Sequence, residues 1–144
     1  MRRALAVGFF AALLGVAPGG CGGDAGSGEV ASAAMALTPG TGLSPSDVGA
    51  VEILVFDGGN ASCARVMSGS SPLDDAGLVL VAHALFTIDG TPKHLAIPAK
   101  KPLDFYAEAF RSAAPGRTRI GRGCVSATLG TGSSDVSISI GATE

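Results

Sequence analysis

From residue 30 onward, short apolar stretches alternate with clusters of glycine, proline, aspartate and serine. Stretches rich in β-branched side chains that end at such turn-forming residues are typical of β-strands. The strongest candidate is 48–56. In 136–140, Val136, Ile138 and Ile140 alternate with two serines, the pattern of a strand with one buried face. The sequence predicts strands at 30–38, 48–56, 62–67, 78–88, 92–97, 103–111, 120–129 and 136–140.

This succession of strands and turns indicates the fold class. Parallel α/β folds need helical segments between their strands, and the pattern shows none. We therefore expect an all-β fold, a single antiparallel β-sandwich of seven or eight strands, with a barrel as the alternative. The segment 105–114 contains good helix formers, but Pro102 and Pro115 bracket it and its side chains alternate as in a strand.

One turn is specified more closely than the others. Asp89 and Gly90 separate two apolar runs, which is a strong signal for a two-residue hairpin. In that register His83 lies opposite Ala96 and His94 opposite Leu85. The two histidines are then diagonal at best, and we expect a half-buried and a surface histidine without a metal.

The first residues form a different kind of segment. Arg2 and Arg3 precede an apolar run at 4–17, and small residues follow it. A positive start, a short apolar run and small residues at the exit describe a secretory signal peptide, which we assign to residues 1–20. The run is too short to span a bilayer.

The exit of this leader, Ala17-Pro18-Gly19-Gly20-Cys21, resembles the lipobox of bacterial lipoproteins. The resemblance implies that Cys21 is lipidated and becomes the mature N-terminus, with acyl chains anchoring the protein to a membrane. Because Gly22 rather than aspartate follows the cysteine, it also implies the outer membrane, on its periplasmic or surface side. Ordinary cleavage nearby is the alternative and would leave Cys21 a free thiol. Residues 21–29 then form a glycine-rich flexible tether, and 30–144 form the β-domain.

The chain has three cysteines, Cys21, Cys63 and Cys124. If Cys21 carries lipid, one pair remains, and in an oxidising compartment we expect a disulfide between Cys63 and Cys124. Two separate buried thiols are the alternative. Both cysteines lie in segments that are predicted to be strands.

Three segments carry a wider resemblance, namely VEILVFDGGNASC, KHLAIPAKKPLDFYAEAF and RIGRGCVSATLGTGSSDVSISI. They resemble uncharacterised Gram-negative lipoproteins with immunoglobulin-like or transthyretin-like β-sandwich modules. The resemblance covers most of 48–140 and implies a sandwich. It brings no catalytic signature, and it implies a shape rather than an activity.

Charge narrows the choice of partners. Without the leader, eight basic and twelve acidic side chains remain, a net charge near −4 that excludes a nucleic-acid footprint. The basic residues gather around the expected hairpin loop at 113–116, where they form either a solvated rim or a contact for phosphates, carboxylates or an acidic protein. They are Arg111, Arg117, Arg119, Arg122, Lys100 and Lys101.

Motifs for catalysis are scarce. The sequence contains no GxSxG, no GxxxxGK[ST] and no CxxC, so we expect no cofactor and no catalytic or metal-binding residue. We expect a non-enzymatic, lipid-anchored envelope protein that is structural or binds a protein or envelope polymer. One alternative is a small exported hydrolase or metal-dependent enzyme using His83 and loop carboxylates. Another is a calcium-stabilised adhesion module using Asp57, Asp74 and Asp75.

Overall fold

The computed structural model describes residues 28–88 and 93–143. The leader and most of the tether therefore lie outside the described residues. Seven of the eight predicted strand segments are strands. They are β1 (Val30–Pro39), β2 (Ala50–Asp57), β3 (Leu80–Thr87), β4 (Lys93–Pro98), β5 (Pro102–Phe110), β6 (Arg119–Thr128) and β7 (Gly132–Ala142).

The remaining segment predicted as a strand, 62–67, is a helix, so that prediction is wrong. This helix, α1 (Cys63–Ser68), begins where the Ser62 hydroxyl accepts a hydrogen bond from the backbone N–H of Arg65, at 3.2 Å. A serine at this position satisfies an N–H that the first helical turn leaves without a partner. Two single turns of 3-10 helix, Pro45–Asp47 and Pro72–Asp74, lie in the loops on either side of β2 and α1.

The all-β prediction is confirmed, but the antiparallel sandwich is wrong. The strands form one sheet in the order β3-β2-β5-β6-β7-β1-β4. Neighbours are antiparallel except β1 and β7, which run parallel from Ala31 opposite Gly132 to Pro39 opposite Ile140. The sheet is mixed and curves until it is nearly barrel-shaped, which is not the immunoglobulin-like or transthyretin-like arrangement.

The main core lies inside this curve. Ile53 of β2, Phe105 of β5 and Ile138 of β7 are fully buried in one cluster, although β2 and β7 are not neighbours in the sheet. Alternate residues of a strand point to opposite faces, so the neighbouring residues Leu54 and Tyr106 point outward. On that outer face a second cluster forms where α1 packs its buried Val66 against these two side chains.

The predicted pairing of β3 with β4 is also wrong. The two strands follow each other in the chain but lie at opposite ends of the sheet, β3 beside β2 and β4 beside β1. His83 consequently lies opposite Leu54, and His94 lies opposite Ala34. The expected turn at Asp89 and Gly90 falls outside the described residues. A short connection between strands brings their ends together, but does not oblige them to pair.

Candidate binding surface

Charged side chains collect on the outer face of the sheet, beside the part that α1 covers. Glu52 of β2 lies directly opposite Glu108 of β5, and Glu108 lies opposite Arg122 of β6. Two carboxylates facing each other across a sheet repel, so they require cations close by. Arginines from β6 and from the loop before it supply that charge. We call the following residues the outer charged cluster: Glu52, His83, Glu108, Arg117, Arg119 and Arg122.

Glu52 is held between His83 and Arg117. Its Oε1 lies 2.6 Å from Nε2 of His83, on the neighbouring strand β3. Its Oε2 accepts a hydrogen bond from the guanidinium of Arg117. The Glu52 side chain is only 15 % exposed, so this ion pair is less screened by solvent than an ordinary surface pair.

Glu108 has a matching environment one strand away. Its Oε1 accepts hydrogen bonds from Arg119 at 2.7 Å and from the Tyr106 hydroxyl at 2.6 Å. The hydrogen bond to Glu108 raises the pKa of Arg119. Burial, followed by the hydrogen bond to Glu108, raises the pKa of Tyr106 to about 12. Each carboxylate of the cluster is thus bound to at least one arginine.

Arginines also tie the α1 loop to the sheet. Arg119 donates to the carbonyl of Ser70 at 2.6 Å, and Arg122 donates to the carbonyl of Gly69 at 2.9 Å. Arg117 stacks over the Phe110 ring, 4.3 Å from its centroid, and its Nε is buried without a hydrogen-bond partner. The cluster therefore holds the loop on the outer face as well as balancing charge.

The predicted group of basic residues is divided by the fold. Arg117, Arg119 and Arg122 lie in the outer charged cluster, and Arg111 lies 3.8 Å from Asp47. Lys100 belongs elsewhere, because its Nζ lies 2.6 Å from a carboxylate oxygen of Glu29, the residue before β1. The expected hairpin rim is consequently divided: three arginines lie on the outer face, while Arg111 and Lys100 pair with acidic residues elsewhere.

The structure brings Cys63 and Cys124 together. A disulfide joins the first residue of α1 to β6, with the two Cα atoms 5.5 Å apart. The carboxylate of Asp104, on β5, lies within 4.8 Å of both sulfurs and is 2 % exposed. The Ser126 hydroxyl donates to this carboxylate. Cys21, the predicted lipidation site, lies outside the described residues.

A pocket of about 270 Å³ opens beside this bridge. Asp104, Ser126 and Ser62 line it, together with Gly58 and Ala61 from the loop after β2. A second, mainly apolar hollow of about 100 Å³ lies between the ends of β1 and β7, with Leu37, Leu43 and Ile140 in its wall. Both are smaller than the roughly 300–1,000 Å³ typical of small-molecule sites.

Two of the loop carboxylates considered for an enzyme or a calcium site, Asp57 and Asp75, are engaged in local contacts. Asp75 forms a two-point ion pair with Arg65, with both N–O distances at 2.8 Å. That hydrogen bonding, followed by the backbone N–H of Gly77, lowers the pKa of Asp75. Asp57 accepts the N–H of Gly59 at 2.9 Å. These contacts do not gather the three carboxylates around one point.

Sequence reasoning missed Glu52, Glu108 and Asp104. A signal for them exists, because each is an acidic residue inside an otherwise apolar strand. Alternation along β5 places Asp104, Tyr106 and Glu108 on one face, which could have been predicted once the strand was assigned. The partners of these carboxylates come from distant parts of the chain and could not be predicted in this way.

No protein-family description matches the chain, and no curated protein matches it. A solved structure that resembles it is that of an alternative pilotin from the type II secretion system of Vibrio cholerae. The two chains are 13 % identical, with a TM-score of 0.42 over 81 % of this chain and 97 % of the other. At this level of similarity the function must be argued from this chain's own residues.

Proposed function

We propose that this protein is a non-enzymatic, lipid-anchored binding protein of the bacterial cell envelope. In this proposal residues 1–20 direct export, acyl chains on Cys21 hold the protein to the outer membrane, and the β-domain contacts a protein or an envelope polymer. The positive start, the apolar run and the small residues before Cys21 support export and anchoring. Stable anchoring needs more than one acyl chain, as the lipobox resemblance implies.

One observation carries the non-enzymatic part of the proposal. The carboxylates that a hydrolase could use are bound to arginines: Glu52 to Arg117, Glu108 to Arg119, and Asp75 to Arg65. His83 is bound to Glu52, so a general base made from these two residues would share its carboxylate with a guanidinium. The arrangement favours a fixed surface over a reacting centre.

The outer charged cluster is the surface best suited to an anionic ligand. Three arginines and two carboxylates lie there, so the arginines outnumber the acids. Arg122 donates its hydrogen bond to a backbone carbonyl rather than to a carboxylate, so this contact does not neutralise its positive charge. Phosphates or carboxylates of an envelope polymer, or an acidic protein segment, match this chemistry.

The anchor is tested by replacing Cys21 with serine in cells fed a fatty acid that can be labelled chemically. The wild-type protein should incorporate the label and partition into detergent, whereas Cys21→Ser should do neither and should appear in the soluble fraction. Gly22→Ser is the matched control, because it changes the adjacent residue and keeps the thiol. Continued labelling of the Cys21→Ser protein would overturn the anchoring proposal.

The binding role is tested by crosslinking in intact cells followed by identification of the attached molecule. We expect a defined envelope component whose yield falls when Arg122 is changed to glutamate, and Lys101→Glu is the control at an exposed position away from the cluster. A hydrolytic activity of the purified protein that disappears in His83→Asn would instead establish the enzyme.

A further inference from the structure

The start of β1 is the point at which the proposed lipid tether enters the β-domain. β1 begins at Val30, nine residues after Cys21. A chain spans at most about 3.6 Å per residue, so Val30 lies within roughly 32 Å of Cys21. The other end of this ten-residue strand lies about 30 Å farther along its axis. A lipid on Cys21 therefore favours an orientation in which the Val30 end of the sheet faces the bilayer.

Backbone hydrogen bonds join the strands around this end of the sheet. They run from the N–H of Ala99 to Glu29 (2.7 Å), of Lys100 to Leu129 (2.7 Å), of Gly58 to Pro102 (2.9 Å) and of Asp57 to Val79 (3.0 Å). Pro102 of β5 also lies opposite Thr128 of β6. Residues that are far apart in the chain therefore share one end of the sheet with the start of β1. We call residues 29–30, 57–58, 79–80, 98–102 and 128–132 the tether end.

Exposed apolar side chains are present at the tether end. Among the residues that the structure describes, six large hydrophobic side chains are exposed, and Val30 is the most exposed of them at 61 %. Val79 and Leu80, at the start of β3, are 50 % and 43 % exposed. Because removing apolar surface from water is favourable, three such side chains at one end of the sheet favour contact with an interfacial environment.

The charged side chains of the tether end balance one another. Glu29 and Asp57 are its acidic residues, and Lys100 and Lys101 are its basic residues. The Nζ of Lys100 lies 2.6 Å from a carboxylate oxygen of Glu29, so these two charges are paired. Because two acidic and two basic side chains cancel, the charge of lipid headgroups neither attracts nor repels this end of the sheet. Contact with a membrane then depends on the apolar side chains.

We propose that the tether end is a membrane-contact surface, at which Val30, Val79 and Leu80 enter the headgroup region of the bilayer that holds the lipid on Cys21. This inference rests on the proposed lipid anchor and adds the lipid surface as a second partner of the domain. Three side chains are too few to hold a domain at a membrane by themselves, but the anchor raises their effective concentration at the bilayer. The contact therefore orients the domain rather than attaching it.

This orientation leaves the outer charged cluster accessible. Glu52 lies five residues before Asp57 on β2, a distance of about 17 Å along the strand. Glu108 lies opposite Glu52, and Arg122 lies opposite Glu108, so the cluster is away from the tether end as a group. With the tether end on the bilayer, the cluster faces the space beside the membrane, where an anionic partner has access to it.

The test supplies the anchor chemically, so that its result does not depend on whether cells lipidate Cys21. Chain 21–144 keeps every described residue, and with the Cys63–Cys124 bridge intact its remaining thiol is Cys21. That thiol is coupled to a maleimide lipid in phosphatidylcholine vesicles. The chain has no tryptophan, so one introduced indole reports alone. In Val30→Trp, lipids brominated on their acyl chains should quench about half of the emission, because interfacial side chains lie about 5–10 Å deep.

Ser112→Trp is the matched control, because Ser112 is exposed in the loop after β5, at the opposite end of the sheet. Its emission should be unaffected by the brominated lipids. In the Val30→Trp chain, replacing both Val79 and Leu80 with glutamine should reduce the quenching at least about twofold. Leu85→Gln should leave the quenching unchanged, because Leu85 is as exposed as Leu80 but lies farther along β3.

Failure of the contact and failure of the anchor give different results. Equal emission from tryptophan at positions 30 and 112, on vesicles that carry coupled protein, would overturn the membrane contact whether or not cells lipidate Cys21. Quenching that survives both glutamine substitutions would overturn it too, because the indole itself would then account for the insertion. Absence of the fatty-acid label from the wild-type protein in cells would instead contradict the anchor.

Discussion

On the outer face, the side chain of Tyr106 is affected both by burial and by a neighbouring carboxylate. It is the single tyrosine of the chain, it is fully buried, and its hydroxyl donates to Glu108. Burial and the adjacent carboxylate both disfavour the phenolate, which is why its pKa rises to about 12. Because the chain has no other tyrosine, its absorbance reports this group alone.

Because folding raises the pKa of Tyr106, the free energy of unfolding should decrease at alkaline pH. A group whose pKa is higher in the folded state stabilises the fold below its unfolded pKa, near 10, and this contribution is lost as pH rises towards 12. A shift of this size corresponds to about 2–3 kcal/mol. Spectrophotometric titration should show phenolate forming near pH 12. The free energy of unfolding, measured with urea, should fall between pH 10 and 12 in the wild type and should fall less in Tyr106→Phe. Titration near pH 10 in the folded protein would contradict the assignment.

The Cys63–Cys124 bridge yields a second prediction at the scale of residues. Closing a loop of 61 positions stabilises the fold by about 4 kcal/mol in the chain-entropy treatment. Replacing both cysteines by alanine should lower the free energy of unfolding by about that amount, whereas Cys21→Ser should not change it. Intact mass should show two hydrogens gained on reduction, and two free thiols in unreduced protein would refute the bridge.

At the scale of elements, β6 contains the clearest steric requirement. Gly121 and Gly123 lie where β7 crosses close to it, and a Cβ on Gly123 would overlap the carbonyl oxygen of Ser139. The Gly-x-Gly spacing therefore permits the close approach of two backbones rather than binding phosphate. It places β7 between β6 and β1, which is the point where the sheet turns from antiparallel to parallel pairing.

Gly123→Ala should consequently destabilise the fold, by about 1–3 kcal/mol, because β7 must move away from β6. Gly130→Ala is the matched control, since nothing lies within 4 Å of the position of its Cβ. Its effect should stay within about 0.5 kcal/mol. Thermal or urea unfolding of the two variants makes the comparison, and equal stabilities would show that β6 tolerates side chains at the crossing.

Elements also differ in how well the sequence predicts them. β7 is unambiguous because its alternation is strict, and β2 because its β-branched run ends at Asp57 and two glycines. The segment at 62–67 misleads because it is short and half apolar, a pattern that fits one turn of helix as well as a strand. Its helical form depends on the Ser62 cap and on packing of Val66 against Tyr106, a contact distant in sequence.

For the whole molecule, the curvature of one sheet decides where the candidate surfaces lie. It closes the main core between β2, β5 and β7, directs Glu52 and Glu108 outward together, and leaves β3 and β4 as the two edges. Among the described residues no helix is long and apolar enough to pass through a bilayer. Attachment by the lipid on Cys21 is the proposal that acts at this scale.

The sequence alone determined the all-β class and the positions of seven strands, because alternation and turn chemistry are properties of neighbouring residues. The order of the strands, the parallel pair of β1 and β7, the helix at Cys63 and the ion pairs of Glu52 and Glu108 were decided only by tertiary structure. The period of a strand reports which side is buried, and not which strand lies beside it. That choice follows from the burial of the whole core and from contacts between residues far apart in the chain.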